Sequence, residues 1–196
     1  MAIRIVDVAV SALVLAVTAP FMALVALLIR LESPGPAIFR QERIGLGGRP
    51  FVIYKFRTMW GSDAERPRVG PIQDFRTYVF SVPGDDRRLT RLGRVLRRTS
   101  IDELPNLWNV LRGEMSLVGP RPELPEVVAQ YPPAYHRRHT VPPGVTGLAQ
   151  VSGRGTLTYD ETMQYDLAYV DRRSLALNLR ILLKTVGAVV SGRGWR

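Results

Sequence analysis

An uncharged apolar segment near the N-terminus constrains this chain more than any other feature of its sequence. Residues 8–29 contain no charged side chain, and only Ser11 and Thr18 among these 22 residues are polar. A segment of this length can cross a bilayer as one helix. The weakly basic start and the missing small-residue cleavage pattern argue against a cleaved signal peptide. The sequence therefore predicts a membrane-inserted element over residues 1–31 and a separate globular domain over residues 32–196.

Pro20 lies near the middle of this segment and leaves its geometry in the membrane open. Proline removes one backbone hydrogen bond and bends a helix. The segment can form a kinked helix that spans the bilayer, or a helix-break-helix that enters and leaves by one face. The Thr18 hydroxyl is placed to bond a carbonyl one turn back, which would satisfy part of the disturbed backbone. A buried core helix is a third interpretation of the same residues.

The chain is strongly basic, and its cations are almost all arginine. Its 196 residues carry a formal net charge of +10, and only Lys55 and Lys184 of the 27 basic residues are lysine. Guanidinium groups bind phosphate oxygens in pairs, so the bias favours anionic lipid, nucleotides or nucleic acid as partners. A GC-rich genome would explain the same bias without any function. The absence of cysteine excludes disulfides, Cys-ligated zinc and a cysteine nucleophile.

Periodicity in the remaining chain predicts a helix-rich α+β domain with a small β-hairpin. Residues 37–44 and 50–57 indicate two strands around a glycine-rich turn. The predicted helices are a basic amphipathic helix opened by Asp85 and Asp86, a short helix over 105–112, a helix with a capping box of Thr158 and Glu161, and a C-terminal helix over 175–190. We expect the apolar side of the last helix to pack in the core, with a membrane-surface position as the alternative.

Two adjacent carboxylates, Asp102 and Glu103, mark the candidate site at the start of the short helix. Four nearby arginines are candidate phosphate ligands: Arg97, Arg98, Arg112 and Arg121. Phosphoryl transfer needs a nucleophile, cations for the phosphate oxygens and a metal for the diphosphate charge. A carboxylate can attack phosphorus to form an acyl-phosphate, and Mg²⁺ suits carboxylate and phosphate ligands. Asp102 and Glu103 are therefore candidates for the nucleophile and the magnesium ligands.

The same residues also have a purely structural interpretation. Ser100 and Glu103 have the spacing of a capping box, and an acid such as Asp102 at a helix start is favoured by the helix dipole. Each arginine taken alone is typical of a solvated surface. Spacing alone leaves both interpretations open.

The run over residues 97–122 resembles the signature of the bacterial sugar transferase family, the monotopic phosphoglycosyl transferases. Further family blocks are matched in the same order at residues 31–39, 54–59, 143–154 and 165–170. The resemblance covers nearly the whole chain except about residues 60–84, which we interpret as a variable loop. The chain resembles a small, minimal version of the family.

The resemblance implies transfer of a sugar-1-phosphate from a nucleotide diphosphate sugar, usually a UDP-sugar, to polyprenyl phosphate. The expected products are polyprenyl-diphosphate-sugar and UMP, in the first membrane step of surface glycan biosynthesis. The family uses Mg²⁺ and a covalent phosphosugar-aspartate. Carried over to this chain, Asp102 is the nucleophile, Glu103 is the metal ligand, and Arg97 and Arg121 lie near the phosphates. Asp166 matches a supporting aspartate.

The resemblance also implies a re-entrant N-terminal helix at the bacterial inner membrane, with both ends and the catalytic domain facing the cytoplasm. The family break is commonly Ser-Pro, whereas Ala19 precedes Pro20 here. The alternative function is a non-catalytic, membrane-anchored basic module that binds anionic lipid or nucleic acid. We do not expect nucleic acid as a partner, because no aromatic side chains are interleaved with the arginines. A homo-oligomer is compatible with the sequence.

Overall fold

The computed structural model describes residues 1–61, 69–79, 86–153 and 156–191, without the side chains of residues 190 and 191. These residues form a helix-rich α+β structure, which confirms the predicted class. The helices and strands are α1 (Ala2–Glu32), β1 (Ile38–Ile44), β2 (Pro50–Phe56), α2 (Arg91–Arg98), α3 (Asn106–Arg112), β3 (Ser116–Val118), α4 (Pro125–Val128), β4 (Gly144–Thr146), α5 (Leu148–Gly153), α6 (Tyr159–Arg172) and α7 (Leu175–Ser191). Stretches of 3-10 helix cover Leu46–Gly48, Ile101–Glu103 and Pro133–Thr140.

The apolar N-terminal segment forms one helix, α1, which continues through Pro20. The Thr18 hydroxyl donates to the Val14 carbonyl at 2.7 Å, as predicted. Among the described residues, α1 is the one helix long and apolar enough to cross a membrane. Leu13 and Val17 are 64% and 71% exposed. Because the other elements leave most of the helix surface uncovered, the interpretation of this segment as a buried core helix is wrong.

The first turns of α1 are bound to the globular part of the chain by polar contacts. The Arg4 guanidinium donates to two carbonyls at the end of α3. The buried Asp7 carboxylate accepts the Ser116 hydroxyl at 2.7 Å and the Leu117 N–H at 3.1 Å. These contacts fix the start of α1 against α3 and β3.

The last turns of α1 are bound to the same globular part. The Glu32 carboxylate accepts the backbone N–H of Leu92 in α2 at 3.0 Å. Val25 and Ile29 are buried in a cluster with Leu96. Both ends of α1 therefore contact one domain.

The predicted hairpin is confirmed, with Ile38 of β1 opposite Phe56 of β2 in antiparallel register. Gly47 and Gly48 have φ angles of 66° and 74° in the connecting turn, a conformation that glycine adopts readily. Because side chains alternate along a strand, the buried Ile53 and residue 55 share one face of β2. This face packs towards α3 and the main core.

α2 begins at Arg91, later than the predicted start at Asp85 and Asp86. The hydroxyl of Thr90 caps its N-terminus, so a hydroxyl rather than a carboxylate fixes the first turn. Asp86 instead pairs with Arg88 in the preceding turn. Asp85 lies outside the described residues. The predicted helix over 105–112 is confirmed as α3.

Two short parallel strands, β3 and β4, are not among the elements predicted from the sequence. The two chain segments approach very closely. A Cβ atom on Gly119 would lie 2.4 Å from the Pro142 carbonyl oxygen, and one on Gly144 would lie 2.0 Å from the Gly119 nitrogen. Glycine is therefore required at both positions. The β3 strand leads directly into the loop that carries Arg121.

α6 begins at the predicted capping box of Thr158 and Glu161. Its buried side carries Met163, Asp166 and Tyr169 rather than apolar residues alone. The buried face of α6 therefore brings a carboxylate into the interior of the domain.

α7 buries Asn178 and Ile181, while Leu179, Leu183 and Val186 are 49%, 74% and 62% exposed. The prediction that this apolar side packs in the core is wrong for these three exposed residues, whereas Leu182 of the same side packs against the main core cluster. α1 and α7 line a common small apolar cavity. The first turns of α1 and the first half of α7 therefore lie near each other.

The main core cluster lies between the hairpin, α3, β3 and the last two helices. Its most buried members include Ile53, Val110, Val118, Tyr169 and Ile181. A second, aromatic-rich cluster joins α4, α6 and the 3-10 segment that follows α4. The candidate site lies at the edge of the main cluster.

Candidate active site

The predicted acidic pair lies on the 3-10 turn over Ile101–Glu103, just before α3. Ser100 precedes it with a φ of 57°, the one positive φ at a residue other than glycine in the described ranges. Strained backbone of this kind is frequent at functional sites. The Ser100 side chain makes no capping hydrogen bond, so the capping-box interpretation of Ser100 and Glu103 is wrong.

Glu103 is held by three hydrogen-bond donors. Its Oε1 accepts Lys55 Nζ at 2.6 Å and Arg121 Nη2 at 3.2 Å, and its Oε2 accepts Asn106 Nδ2 at 2.5 Å. Burial opposes ionisation, but the positive charges of Lys55 and Arg121 outweigh it and lower the pKa of Glu103 to about 2. Glu103 is therefore a fixed carboxylate at neutral pH.

Asp102 is buried in the same cluster, and none of the hydrogen bonds among the described residues ends on its carboxylate. Burial, followed by repulsion from Glu103, raises the pKa of Asp102 to about 6, although Lys55, Arg97 and Arg121 oppose the shift. Environments that push two carboxyl pKa values apart are typical of acids with different roles. The Asp102 carboxylate is therefore more basic than an ordinary aspartate, and no hydrogen bond among the described residues engages it.

Lys55 is a site residue that sequence reasoning missed. Burial, and next the charge of Arg121, lower its pKa to about 8, although Glu103 opposes the shift. The available signal was compositional, since Lys55 is one of only two lysines among 27 basic residues. Unlike arginine, a lysine can lose its proton near neutral pH. Asn106 was also missed, and it reaches Glu103 from the first turn of α3.

Two of the four predicted arginines reach the acidic pair. Arg121 bonds Glu103, and Arg97 lies close enough to lower the pKa of Asp102. Arg97 Nε donates to the Thr58 hydroxyl at 3.1 Å, which fixes its direction. These two guanidinium groups surround the pair with positive charge.

The other two predicted arginines lie away from the pair. Arg98 is exposed on α2. Arg112 is half-exposed at the end of α3 and pairs with Glu114 at 3.1 Å. Their role as phosphate ligands stays a prediction.

A small cleft opens at the cluster, between the hairpin, α3 and the loop after β3. Its polar lining consists of Arg43, Lys55, Glu103, Asn106 and Arg121. Three cations against one carboxylate favour the binding of an anion. Arg43 was not predicted, because only the fold brings β1 to this cleft.

Asp166 lies outside the cleft but is connected to it. The buried Asp166 carboxylate accepts Arg138 Nη2 at 2.6 Å, and the same nitrogen donates to the Arg121 carbonyl at 2.6 Å. Burial raises the pKa of Asp166 to about 6 against the opposing charge of Arg138. The predicted supporting residue therefore reaches the site through Arg138.

The chemistry of the acidic pair fits magnesium. In the described part of the chain, no three His, Asp or Glu side chains come together as a complete metal site. Mg²⁺ is commonly bound by one or two carboxylates together with substrate phosphates. Asp102 and Glu103 supply two carboxylates, and a diphosphate would supply further oxygens.

The chain was compared with known proteins. Residues 1–192 match the family described as Bacterial sugar transferase. The chain is 47% identical over 196 residues to a UDP-glucose:undecaprenyl-phosphate glucose-1-phosphate transferase of Caulobacter vibrioides, covering 96% of this chain and 69% of that protein. It is 39% identical over 191 residues to the Uncharacterized sugar transferase EpsL of Bacillus subtilis, covering 97% and 88%.

A relative in Escherichia coli bears the same name as the Caulobacter protein. It is 38% identical over 188 residues, which cover 92% of this chain and 38% of that protein. The family match includes α1, the acidic pair and α7. The resemblance found in the sequence is thereby confirmed, and the chain belongs to the bacterial sugar transferase family.

Proposed function

We propose that this chain is a membrane-bound phosphoglycosyl transferase. It moves a sugar-1-phosphate from a nucleotide diphosphate sugar, with a UDP-sugar as the favoured donor, to polyprenyl phosphate. The observation that carries this assignment is that the two carboxylates have different environments. Three donors hold Glu103, whereas Asp102 is buried and its pKa is raised. The relatives from Caulobacter and E. coli, named for UDP-glucose and undecaprenyl phosphate, support the same chemistry.

The reaction proceeds through two displacements at one phosphorus atom. An Asp102 carboxylate oxygen bonds to the β-phosphorus of the donor, the bond from that phosphorus to the bridging oxygen breaks, and UMP leaves. A phosphate oxygen of polyprenyl phosphate then attacks the same phosphorus. The Asp102 carboxylate departs, and the product is polyprenyl-diphosphate-sugar. A covalent intermediate divides one difficult transfer into two easier steps.

The cations of the site stabilise charge on the transferred phosphoryl group. Lys55, Arg97 and Arg121 supply this charge at fixed positions, which costs little reorganisation during the reaction. Arg121 offers a planar pair of donors on a backbone stiffened by two prolines. Glu103 orients Lys55 and Arg121. Asp102 and Glu103 would hold Mg²⁺, which supplies neutralising charge for the diphosphate.

We place residues 1–31 at the cytoplasmic face of the inner membrane and residues 32–196 in the cytoplasm as the catalytic domain. We propose that α1, which is one continuous helix in the structure, bends at Pro20 in the membrane and is re-entrant, and two observations support this. Both ends of α1 contact one globular domain, and one domain lies on one side of a bilayer. The uncovered apolar stripe of α7 extends the same surface. A soluble donor and a lipid phosphate can both reach a site at such a surface.

Release of UMP tests this assignment. Detergent-purified full-length chain would be incubated with polyprenyl phosphate, MgCl₂ and a panel of UDP-sugars. We expect release with at least one sugar, dependent on metal and reduced at least about a thousand-fold in Asp102→Asn. Asp171→Asn is the matched control, because Asp171 is an exposed aspartate paired with Arg137. Absence of UMP with every donor, or equal release from Asp102→Asn, would contradict the proposal.

A further inference from the structure

On the basis of the function proposed above, we infer that Arg138 is a positioning residue for Arg121. Together with Arg43, it clamps the backbone of the loop that presents Arg121 to the substrate phosphates. Neither Arg138 nor Arg43 carries a family motif identified in the sequence, and both are assigned here from their contacts.

Arg138 is one of the most buried side chains of the described structure, with 1% of its side chain exposed. Its Nε and Nη2 donate to one Asp166 oxygen at 3.1 and 2.6 Å, and its Nη1 donates to the Tyr131 hydroxyl at 2.7 Å. Nη2 also donates to the Arg121 carbonyl at 2.6 Å. Each nitrogen of the guanidinium group is therefore engaged.

The hydrogen bond from Arg138 to the Arg121 carbonyl indicates the role of this guanidinium group. A buried ion pair contributes little net stability, because desolvating two charges offsets their attraction. The bonds of Arg138 to Asp166 and Tyr131 stay within the domain interior, whereas its fourth bond ends on the backbone of Arg121. The Arg121 side chain in turn bonds Glu103 at 3.2 Å. Two consecutive bonds thus connect the buried pair to the acidic site.

A second guanidinium group binds the next carbonyl of the same loop. Arg43 Nη1, on β1, donates to the Pro122 carbonyl at 3.1 Å. Gln41 Oε1 accepts Arg43 Nη2 at 2.6 Å and Nε at 3.1 Å, which orients the group. Consecutive carbonyls, of Arg121 and Pro122, are therefore held by two arginines from distant parts of the chain.

The Arg121 side chain depends on this support. Its side chain is 43% exposed and, among the described residues, donates to Glu103. A long, half-exposed side chain keeps much of its rotamer freedom. The position of the Arg121 side chain therefore depends on the orientation of the backbone at Arg121. A misplacement of about 1 Å at a reacting centre can reduce a rate about a hundred-fold.

The test is a double-mutant cycle on UMP release. Arg138→Lys keeps a positive charge beside Asp166 but loses the planar fork that reaches the Arg121 carbonyl. We expect Arg138→Lys to reduce kcat about ten- to hundred-fold. In an Arg121→Ala background the same change should cost less than about two-fold, because its effect passes through Arg121. Equal fold losses in both backgrounds would overturn the inference.

Arg137→Lys is the matched control at the neighbouring position. Arg137 and Asp171 form an exposed ion pair, with 56% and 54% of their side chains exposed. We expect this variant to match the wild-type rate. If Arg138→Lys does not fold, the double variant Arg138→Gln, Asp166→Asn replaces the ion pair by neutral amides and enters the same cycle.

Hydrogen exchange gives a readout that does not depend on catalysis. We expect the peptide over residues 119–124 to exchange faster in Arg138→Lys, with α6 unchanged. Unchanged exchange in this peptide would overturn the clamp. If the wild-type chain releases no UMP, the proposed function fails, while hydrogen exchange still decides whether Arg138 holds the loop.

Discussion

Asp102 and Glu103 are neighbours in the chain, yet the fold gives their carboxylates opposite environments. Asp102 is buried next to the negative charge of Glu103, which raises its pKa to about 6. Lys55 and Arg121 bind Glu103 directly and lower its pKa to about 2. Of the two carboxylates in the pair, Asp102 is therefore the one that titrates in the range where enzymes usually work. The pKa of the neighbouring Lys55 is lowered to about 8.

These values predict a bell-shaped pH dependence of kcat/KM for the UDP-sugar, measured from UMP release at saturating polyprenyl phosphate. Asp102 must be ionised to attack, so kcat/KM should fall as the pH drops through about 6. Lys55 loses its charge above about 8, so kcat/KM should fall again there. Lys55→Arg should keep the acid limb and remove the alkaline limb. An acid limb at the ordinary aspartate value of 3.8 would contradict the assigned environment of Asp102.

The sequence could identify the acidic pair, Arg97 and Arg121, because they lie in one short run. Lys55, Arg43 and Arg138 come from other parts of the chain and reach this run only through tertiary packing. Residue type and local spacing carry no information on such contacts. The missed residues are those that orient and charge the site, whereas the predicted ones include Asp102, which we propose as its nucleophile.

At the scale of elements, the close backbone approach beside β3 and β4 predicts opposite effects for two Gly→Ala substitutions. A Cβ at Gly144 meets the Gly119 backbone at 2.0 Å, so Gly144→Ala should reduce the free energy of unfolding by about 2–4 kcal/mol. Gly187 lies within α7, and apart from its chain neighbours and the backbone of its own helix, no heavy atom of the described residues lies within 4 Å of its Cβ position. Gly187→Ala should therefore stabilise the protein by about 0.5–1 kcal/mol. Denaturant titration in detergent measures the free energy of unfolding of both variants. Similar effects of the two substitutions would contradict the close backbone approach at Gly144.

The exposed stripe of α7 predicts contact with lipid. The chain lacks cysteine, so Leu183→Cys creates a single labelling site for an environment-sensitive fluorophore. In vesicles, we expect lipid-attached quenchers to reduce its emission, because Leu183 is 74% exposed on the apolar stripe of α7. The matched probe is Gln164→Cys, on an exposed position of α6. Equal quenching at both positions would contradict a membrane-facing α7.

Local signals predicted the hairpin, α3 and the capped start of α6. The start of α2 was predicted too early, because the prediction relied on Asp85 and Asp86, whereas the hydroxyl of Thr90 caps the helix. β3 and β4 are each three residues long, too short for a periodic pattern. The apolar side of α7 was correctly identified but assigned to the core, since periodicity alone cannot distinguish a core-facing stripe from an uncovered one.

At the scale of the whole molecule, we expect α1 to determine how the site meets the proposed lipid substrate. Both of its ends contact the catalytic domain, so we expect both on the cytoplasmic side. Ala2→Cys and Arg30→Cys place single thiols at exposed positions near the two ends. A membrane-impermeant maleimide should label both in inverted vesicles and neither in intact spheroplasts. Labelling of one thiol from each side would establish a spanning helix instead.

The central claim for the whole molecule is that Asp102 carries the phosphosugar. Intact mass spectrometry of the full chain, incubated with Mg²⁺ and a UDP-sugar but no polyprenyl phosphate, tests it most directly. We predict a mass gain of one sugar-phosphate that maps to Asp102, disappears when polyprenyl phosphate is added and is absent in Asp102→Asn. Lipid-dependent UMP release without any adduct, or an adduct that persists in Asp102→Asn, would contradict the account.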